Sequence, residues 1–316
     1  MSLTTLLRTD AALRDRLKAV IRKPQWTVPA TLVPRRSTRA NLTGTAFDYL
    51  LRFELQRRHP AIAMHQGWWV AEYALPQAPM PRKARLAVTE ARQLHAAFVA
   101  GMGHLKDMAL TCTVLAKFDF IYRAGWTDPD LLRPDVDIAG ELLDLLAVVP
   151  WTAFTAERRL ILNPSFGVAS QAVGGADADV VLDGCLIDVK TTVKAEMSLD
   201  QLRQLVGYAV LAHLDAMYVL GPGPMSNYAG SGVQQVGVYY ARHGALGRFD
   251  LLDIVPPAAW GGVVAFMRHH LEVPEEDLVW PGARSRSGME RWLEEEVQAA
   301  AAALIPTSSW ACQARR

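Results

Sequence analysis

The dipeptide formed by Asp183 and Gly184 is the feature that most narrows what this chain can fold into. It lies within GADADVVLDGCLIDVKTT, residues 175–192, between two short apolar runs. A two-residue turn of type I′ needs positive φ at both central positions, and Asp-Gly is among the pairs that adopt it most readily. The stretch therefore predicts a β-hairpin, and counting outward from the turn places Asp179 opposite Asp188.

The register of this hairpin decides which side chains meet, because side chains alternate between the two faces of a strand. Asp179, Asp188 and Lys190 share one face. The other face is apolar and carries Val180, Leu182, Ile187 and Val189. Opposed carboxylates, with Cβ atoms about 4.5–5.5 Å apart, destabilise a hairpin unless positive charge compensates. Lys190 supplies one positive charge, and a hard divalent cation with oxygen ligands would compensate further.

Composition bounds the class of protein. The chain has 316 residues, 51% of them hydrophobic and 21% charged, with a net charge of +1. This length suffices for one large domain or two ordinary ones. A nearly neutral chain is not a basic protein as a whole, so any nucleic-acid site has to be local. Residues 1–40 carry nine basic against two acidic side chains, which fits either a solvated surface or a phosphate-contacting arm.

Cysteine spacing and hydropathy exclude several classes. The three cysteines, Cys112, Cys185 and Cys312, are odd in number, none are closely spaced, and Cys185 lies on a predicted core strand. This excludes a disulfide framework, a zinc ribbon and a four-cysteine iron–sulfur site from this chain alone. No apolar run reaches membrane-spanning length, and residues 1–17 carry charges throughout, unlike a secretory signal. No GxxxxGK(S/T) motif is present, so no P-loop motor is expected. We expect a cytoplasmic protein without a membrane partner.

Hydrophobic periodicity divides the chain into a helical first part and a strand-rich later part. Helices are expected within residues 41–58, 87–125 and 137–149, and strand-like texture begins at 159–166. Ser198 predicts the N-cap of a helix over 198–214. Further strands are expected at AMYVLG (216–221), VQQVGVYYA (233–241) and FDLLDIV (249–255). This order predicts an α/β fold, in which a helical region precedes a core of a few strands.

Two carboxylates and a lysine on one strand face suit the hydrolysis of a phosphodiester. The carboxylates would hold Mg²⁺ or Mn²⁺, which lowers the pKa of a bound water and neutralises charge on the phosphate. Lys190 would either position the attacking water or help to deprotonate it. The backbone carbonyl of Val189 would be a further oxygen ligand. Gln204 and Tyr208 are four residues apart, so they lie on one face of the following helix.

These residues carry a resemblance. VGGADADVVLDGCLIDVKTT followed by QLVGY resembles the PD-(D/E)XK nuclease superfamily, and most of all its RecB-type branch with a QxxxY helix. The resemblance assigns Asp179 and Asp188 as metal-binding and catalytic carboxylates and Lys190 as the catalytic lysine. Gln204 and Tyr208 match the QxxxY pair, which supports the site or contacts the substrate backbone. Asp177 competes with Asp179 for the first role, but the hairpin register favours Asp179.

A further metal ligand is left open between two residues. The RecB-type branch often has a GTxxH helix, and this chain has GTAFD at 44–48, with Asp48 where the histidine would be. Other members of the superfamily use a helical glutamate, for which Glu141 is the candidate. Either carboxylate is equally well explained as a solvated or capping group.

The order of elements implies an organisation in which the resemblance covers roughly residues 160–255 and, more weakly, 41–55. A basic N-terminal helix and arm (1–40) and a helical region (41–158) would precede the nuclease core (159–255), and a helical extension (256–316) would follow it. The core would be a small mixed central sheet flanked by helices.

The resemblance implies a metal-dependent deoxyribonuclease, exonuclease-like, that uses Mg²⁺ or Mn²⁺ to cut DNA. RNA stays open as a substrate, as do protein partners and self-association. The alternative is a nuclease-fold protein that binds DNA or has a structural role in a larger defence, repair or mobile-element assembly.

Overall fold

A mixed sheet of six strands occupies the centre of the described residues, and its strand order follows the order of the chain. The computed structural model describes residues 2–65, 69–194, 196–218 and 233–272. The strands are β1 (Ala63–His65), β2 (Leu160–Leu162), β3 (Val180–Leu182), β4 (Cys185–Lys190), β5 (Gln235–Tyr240) and β6 (Ala245–Asp250). The pairs β1/β2 and β4/β5 are parallel and the other neighbours are antiparallel. The chain is therefore an α/β protein, as its element order predicted.

Eleven α-helices accompany this sheet within the described residues. They are α1 (Leu3–Thr9), α2 (Ala11–Val20), α3 (Ala40–Arg58), α4 (Val70–Tyr73), α5 (Pro81–Val99), α6 (Leu105–Ala124), α7 (Val136–Ala147), α8 (Gly167–Ala172), α9 (Leu199–Tyr218), α10 (Leu251–Ile254) and α11 (Pro257–His270). None of these helices combines the length and the apolar character that crossing a bilayer demands. Residues 1–273 form one unit by their contacts.

The helices expected from periodicity are present. The stretch 41–58 is α3, the stretch 87–125 contains most of α5 and all of α6 up to Ala124, and 137–149 overlaps α7. Ser198 caps α9 as expected: its Oγ accepts the Gln201 N–H at 3.2 Å, and Gln201 Oε1 accepts the Ser198 N–H at 2.8 Å. This reciprocal pair is a capping box, which satisfies two backbone donors that the first helical turn leaves free.

Both faces of the sheet are buried, which organises two hydrophobic clusters. Val180, Leu182 and Ile187 belong to the cluster built with α3, α5, α6 and α7. Val181 and Leu186, which point the other way, belong to the cluster built with α1, α2, α9 and α11. The carboxyl end of β4 extends from this double-sided core, so Asp188 and Lys190 are carried to its edge by well-packed strands.

Two expected strands are wrong. In the stretch 216–221, residues 216–218 continue α9, and residues 219–221 lie outside the described residues. A short apolar run does not by itself distinguish a strand from the end of a buried helix. In the stretch 249–255, only Phe249 and Asp250 are in a strand, and residues 251–254 form α10. The neighbouring strand is instead β6, because Gly244, at φ 56°, turns the chain back on β5.

Two other regions differ from expectation, one strand is confirmed, and the C-terminal extension is described only in part. The stretch 41–158 is not purely helical, because β1 pairs with β2 and adds a strand to the sheet. The basic N-terminal segment forms two helices rather than one, separated by Asp10, whose carboxylate caps α2. The strand expected at 233–241 is confirmed as β5. Of the expected C-terminal extension, α11 is helical, and residues 273–316 lie outside the described residues.

Candidate active site

The hairpin forms with the register that its turn predicts. Asp183 and Gly184 have φ values of 47° and 89°, as a type I′ turn requires. Cα pairing places Leu182 opposite Cys185 and continues outward along both strands, so the next pair beyond the ladder is Asp179 and Asp188. The Asp183 carboxylate also accepts three backbone N–H groups of residues 157–159 at 2.7 to 2.9 Å. The turn residue therefore ties the hairpin to the chain that enters β2.

Asp179 is bound to the opposite strand through its side chain. Its Oδ2 accepts the backbone N–H of Val189 at 2.6 Å, and its own carbonyl accepts the N–H of Asn163 at 2.9 Å. Burial raises the pKa of Asp179 well above its usual value, and the nearby carboxylates of Asp48 and Asp188 raise it further. The structure thus places this side chain among other carboxylates.

Lys190 pairs with the second carboxylate of the hairpin. Its Nζ lies 2.8 Å from Oδ2 and 2.9 Å from Oδ1 of Asp188, and it donates its hydrogen bond to Oδ1. Burial lowers the pKa of Lys190, but the charges of Asp188 and Asp179 outweigh it, and the net shift is upward. The ammonium therefore stays protonated at neutral pH. This favours positioning of a water or phosphate by Lys190 over proton removal.

The QxxxY pair on α9 reaches the same site. Gln204 Nε2 donates to the Tyr208 hydroxyl at 3.0 Å, and Gln204 Oε1 accepts from Lys190 Nζ at 3.5 Å. The Tyr208 ring stacks on Phe166 with centroids 5.6 Å apart. Gln204 Nε2 also contacts Thr4 Oγ1 of α1 at 3.4 Å, which places the N-terminal helix beside the site. The four-residue spacing of Gln204 and Tyr208 thus allows a chain of hydrogen bonds from Lys190 through Gln204 to Tyr208.

Of the two candidates for a further ligand, Asp48 lies in the site. Helix α3 approaches the end of β4 closely, since a Cβ on Gly44 would lie 3.0 Å from Thr191 Oγ1. Asp48 Oδ2 pairs with Arg52, whereas Oδ1 is buried and accepts no hydrogen bond from a described residue. Burial raises the pKa of Asp48, and Asp177 contributes in the same direction.

Glu141 has other partners. Its carboxylate pairs with Arg242, and it accepts the N–H groups of Arg36 and Ser37 at 3.3 and 2.8 Å. Arg242 Nε in turn donates to the Thr191 carbonyl at 2.6 Å. Glu141 therefore acts one layer behind the site, through Arg242, on the residue that follows Lys190.

Other members of the site did not stand out in the sequence. Arg52 and Arg123 enter it from α3 and α6, and Arg123 Nη2 donates to Asp177 Oδ2 at 2.9 Å. Burial raises the pKa of Asp119 to about 7, although Arg123, Arg52 and a hydrogen bond from Tyr49 act in the opposite direction. The i, i+4 spacing from Asp48 was a signal for Arg52, but Arg123 had none, because tertiary packing alone brings it in.

These charged residues form what we call the carboxylate cluster. Its members influence one another electrostatically: Asp48, Asp119, Asp177, Asp179 and Asp188, with Arg52, Arg123 and Lys190. Five carboxyl groups against three cations leave a formal charge of −2 when all are ionised, which one divalent cation would balance. Burial raises the pKa of Asp48 and Asp179, and the like charges of neighbouring carboxylates raise it further.

A divalent cation fits this cluster by charge and by donor type. The ligands are carboxylate oxygens, which suit Mg²⁺ or Mn²⁺, and Asp48 Oδ1 is buried without a described partner. Within the described ranges, no three His, Cys, Asp or Glu side chains are grouped as a finished metal site. Two of the carboxylates are instead turned to partners in the chain, Asp179 to the Val189 N–H and Asp188 to Lys190.

Comparisons of this chain with protein-family models, with curated proteins and with solved structures find no match. The functional assignment therefore depends on the sequence pattern and on the geometry of the carboxylate cluster.

Proposed function

We propose that this protein is a metal-dependent nuclease that hydrolyses phosphodiester bonds in DNA, exonuclease-like and of the PD-(D/E)XK type. One observation carries the proposal: Lys190 lies within 2.9 Å of both oxygens of Asp188 and within 3.5 Å of Gln204, at the edge of a cluster with excess negative charge. A surface strand with a chance Asp-x-Lys pattern has no reason to lie among three further carboxylates whose pKa is raised by burial, those of Asp48, Asp119 and Asp179.

Each residue of the site has a proposed role. Asp179, Asp188 and Asp48, with the Val189 carbonyl, would hold Mg²⁺ or Mn²⁺. When bound, the cation supplies charge neutralisation at the phosphate and a water of lowered pKa. Lys190, held protonated by its two carboxylates, orients the attacking water or the phosphate as a fixed positive charge. Gln204, which donates a hydrogen bond to Tyr208, accepts one from the Lys190 ammonium on the α9 side.

The test is degradation of plasmid and linear DNA in the presence of Mn²⁺ or Mg²⁺, and none in EDTA. Lys190→Met and Asp188→Asn are each expected to lower the rate by about 100-fold or more, since each removes charge that acts in the transition state. Lys194→Met is the matched control, because Lys194 is an exposed lysine only four residues after Lys190 in the sequence. It should cut like the wild type.

The same assay separates the alternatives. If the wild type cuts neither DNA nor RNA, and neither cation shifts its melting temperature, the protein is a non-catalytic binding or structural subunit. The hydrogen bonds that occupy Asp179 and Asp188 favour that second candidate, because they would have to be exchanged for metal contacts. A labelled RNA digested beside DNA decides which nucleic acid is the substrate.

A further inference from the structure

The three exposed Phe, Trp and Tyr side chains of the described residues come from α4 and from the carboxyl end of α6. Tyr73 on α4, Tyr122 in the last turn of α6 and Trp126 just beyond it are 48%, 50% and 49% exposed. The rings of Tyr73 and Tyr122 lie 5.7 Å apart at a tilt of 35°. Trp126 meets the edge of Phe120 with centroids 6.0 Å apart, which leaves its other side to solvent. A soluble domain rarely gathers half-exposed rings without a use for them.

Exposed positive charge lies at the start of α5, the helix that packs against α6. Arg82, Lys83 and Arg85 are exposed on the first two turns of α5, and no acidic residue occurs in that helix before Glu90. None of the three forms an ion pair with a described residue. Together with Leu86 and Thr89, the two arginines line a surface pocket of about 550 Å³. We call the six residues Tyr73, Tyr122, Trp126, Arg82, Lys83 and Arg85 the aromatic–basic strip.

The strip lies at the same end of the helices as the carboxylate cluster. Helices α5 and α6 pack against each other and are joined by only five residues, 100–104, so they form an antiparallel hairpin. The start of α5 therefore lies beside the end of α6, where Arg123 belongs to the carboxylate cluster.

The aromatic half of the strip is next to the carboxylate cluster in the sequence. Tyr122 is followed by Arg123, whose Nη2 donates to Asp177 Oδ2 at 2.9 Å. Asp177 in turn precedes Asp179 by two residues. A polymer lying across Tyr122 would thus pass beside Arg123, the residue whose side chain reaches Asp177.

We propose that the aromatic–basic strip binds single-stranded nucleic acid and leads it to the carboxylate cluster; the destination, though not the binding, depends on the proposed nuclease function. Free bases stack on exposed rings without regard to sequence, and cations spaced along one helix follow the phosphates. In a duplex the bases are stacked on one another, so they are not free to stack on the aromatic rings. The positive charge of the strip also draws a polyanion toward a cluster that, without a cation, would repel it.

The experiment measures binding in EDTA, where hydrolysis cannot interfere. Fluorescein-labelled oligo(dT) and oligo(U) of about 20 nucleotides, and a blunt duplex of the same length, cover more than one binding site. The wild type should bind a single strand about tenfold or more tighter than the duplex. The triple variant Tyr73→Ala, Tyr122→Ala, Trp126→Ala should lose about tenfold or more of the single-strand affinity, since each stacked base contributes roughly 5- to 150-fold.

Charge and position have their own controls. Arg82→Ala with Arg85→Ala should lower the slope of log affinity against log salt by about 1.4, which is two phosphate contacts on a single strand. Met102→Ala with Lys106→Ala is the matched control, because both residues are exposed at the opposite end of the α5–α6 pair. This control should bind as the wild type does. All the substituted side chains are exposed, so melting temperatures should stay within a few degrees.

The proposal is overturned if the wild type binds no single strand, binds the duplex equally well, or keeps its affinity in the triple aromatic variant. It is also overturned if the Met102 and Lys106 control loses as much. Because the assay contains no metal, these outcomes leave the nuclease proposal standing. A wild type that binds single strands but cuts nothing in Mn²⁺ refutes the nuclease proposal alone. The oligo(dT) and oligo(U) arms tell which strand chemistry the strip prefers.

Discussion

The substitution Glu141→Gln isolates a buried ion pair behind the candidate site. The side chains of Glu141 and Arg242 are 0% and 1% exposed, so neither charge has access to bulk water. Arg242 also donates to the carbonyls of Thr191 and Val33, which holds together α7, the end of β4 and the entry to α3. Glutamine keeps the shape of glutamate and removes only its charge and one acceptor.

The expected loss follows from what the substitution leaves behind. The guanidinium of Arg242 stays buried with two carbonyl partners and no counter-charge, and removing one partner of a buried pair costs about 3–5 kcal/mol. The introduced glutamine would in addition offer only one oxygen where Glu141 serves Arg242 and the N–H groups of Arg36 and Ser37. Against a total stability of about 5–15 kcal/mol for a folded protein, this is a large fraction.

Urea unfolding of the wild type, Glu141→Gln, Arg242→Met and the double variant measures the coupling. The double variant should be less destabilised than the sum of the single ones by about 2 kcal/mol or more, since it leaves no lone charge. Single variants within about 1 kcal/mol of the wild type, or strictly additive losses, refute the reasoning.

Glu141→Gln and Asp48→Asn together test which carboxylate serves the proposed metal. At a temperature where Glu141→Gln is fully folded, its Mn²⁺ concentration dependence in DNA cleavage should match that of the wild type. Asp48→Asn should instead require about tenfold or more Mn²⁺, because it would remove one of the proposed carboxylate ligands. The reverse result would move the ligand to Glu141.

Three further predictions concern stability. Burial, with Arg92 nearby, lowers the pKa of His95 from 6.5 to about 4, so the folded state binds fewer protons than the unfolded state. Stability should therefore be full above pH 6.5 and fall as pH drops toward 4, by roughly 3 kcal/mol, and His95→Phe should flatten this part of the unfolding profile. Ser198→Ala should cost about 1 kcal/mol in urea unfolding through the lost α9 cap, and an unchanged midpoint would contradict the capping box. Gly237→Ala should lower the melting temperature, because the added Cβ would lie 2.8 Å from the Gly247 carbonyl oxygen on the paired strand. An unchanged melting temperature would mean that β6 moves away from β5 at no cost in stability.

Local rules were sufficient wherever neighbours in sequence decide the geometry. The hairpin register follows from two residues that accept positive φ, and the start of α9 follows from one capping serine. The alternation of side chains then places Asp188 and Lys190 together without any knowledge of the rest of the fold. The i, i+4 spacing of Gln204 and Tyr208 is of the same kind, and the hydrogen bond between them is present.

Packing between distant segments decided the remainder. Glu141 and Asp48 are both helical carboxylates, and only the approach of Arg242 to one and of β4 to the other distinguishes them. The end of α9 was misread as a strand because a buried helix and a buried strand present the same short apolar run. Arg123 lies 54 residues from Asp177 in sequence, so its ion pair exists only once α6 has packed. Sequence determines what short-range sterics can enforce, whereas the charges that meet in a buried site depend on which surfaces the whole chain brings together.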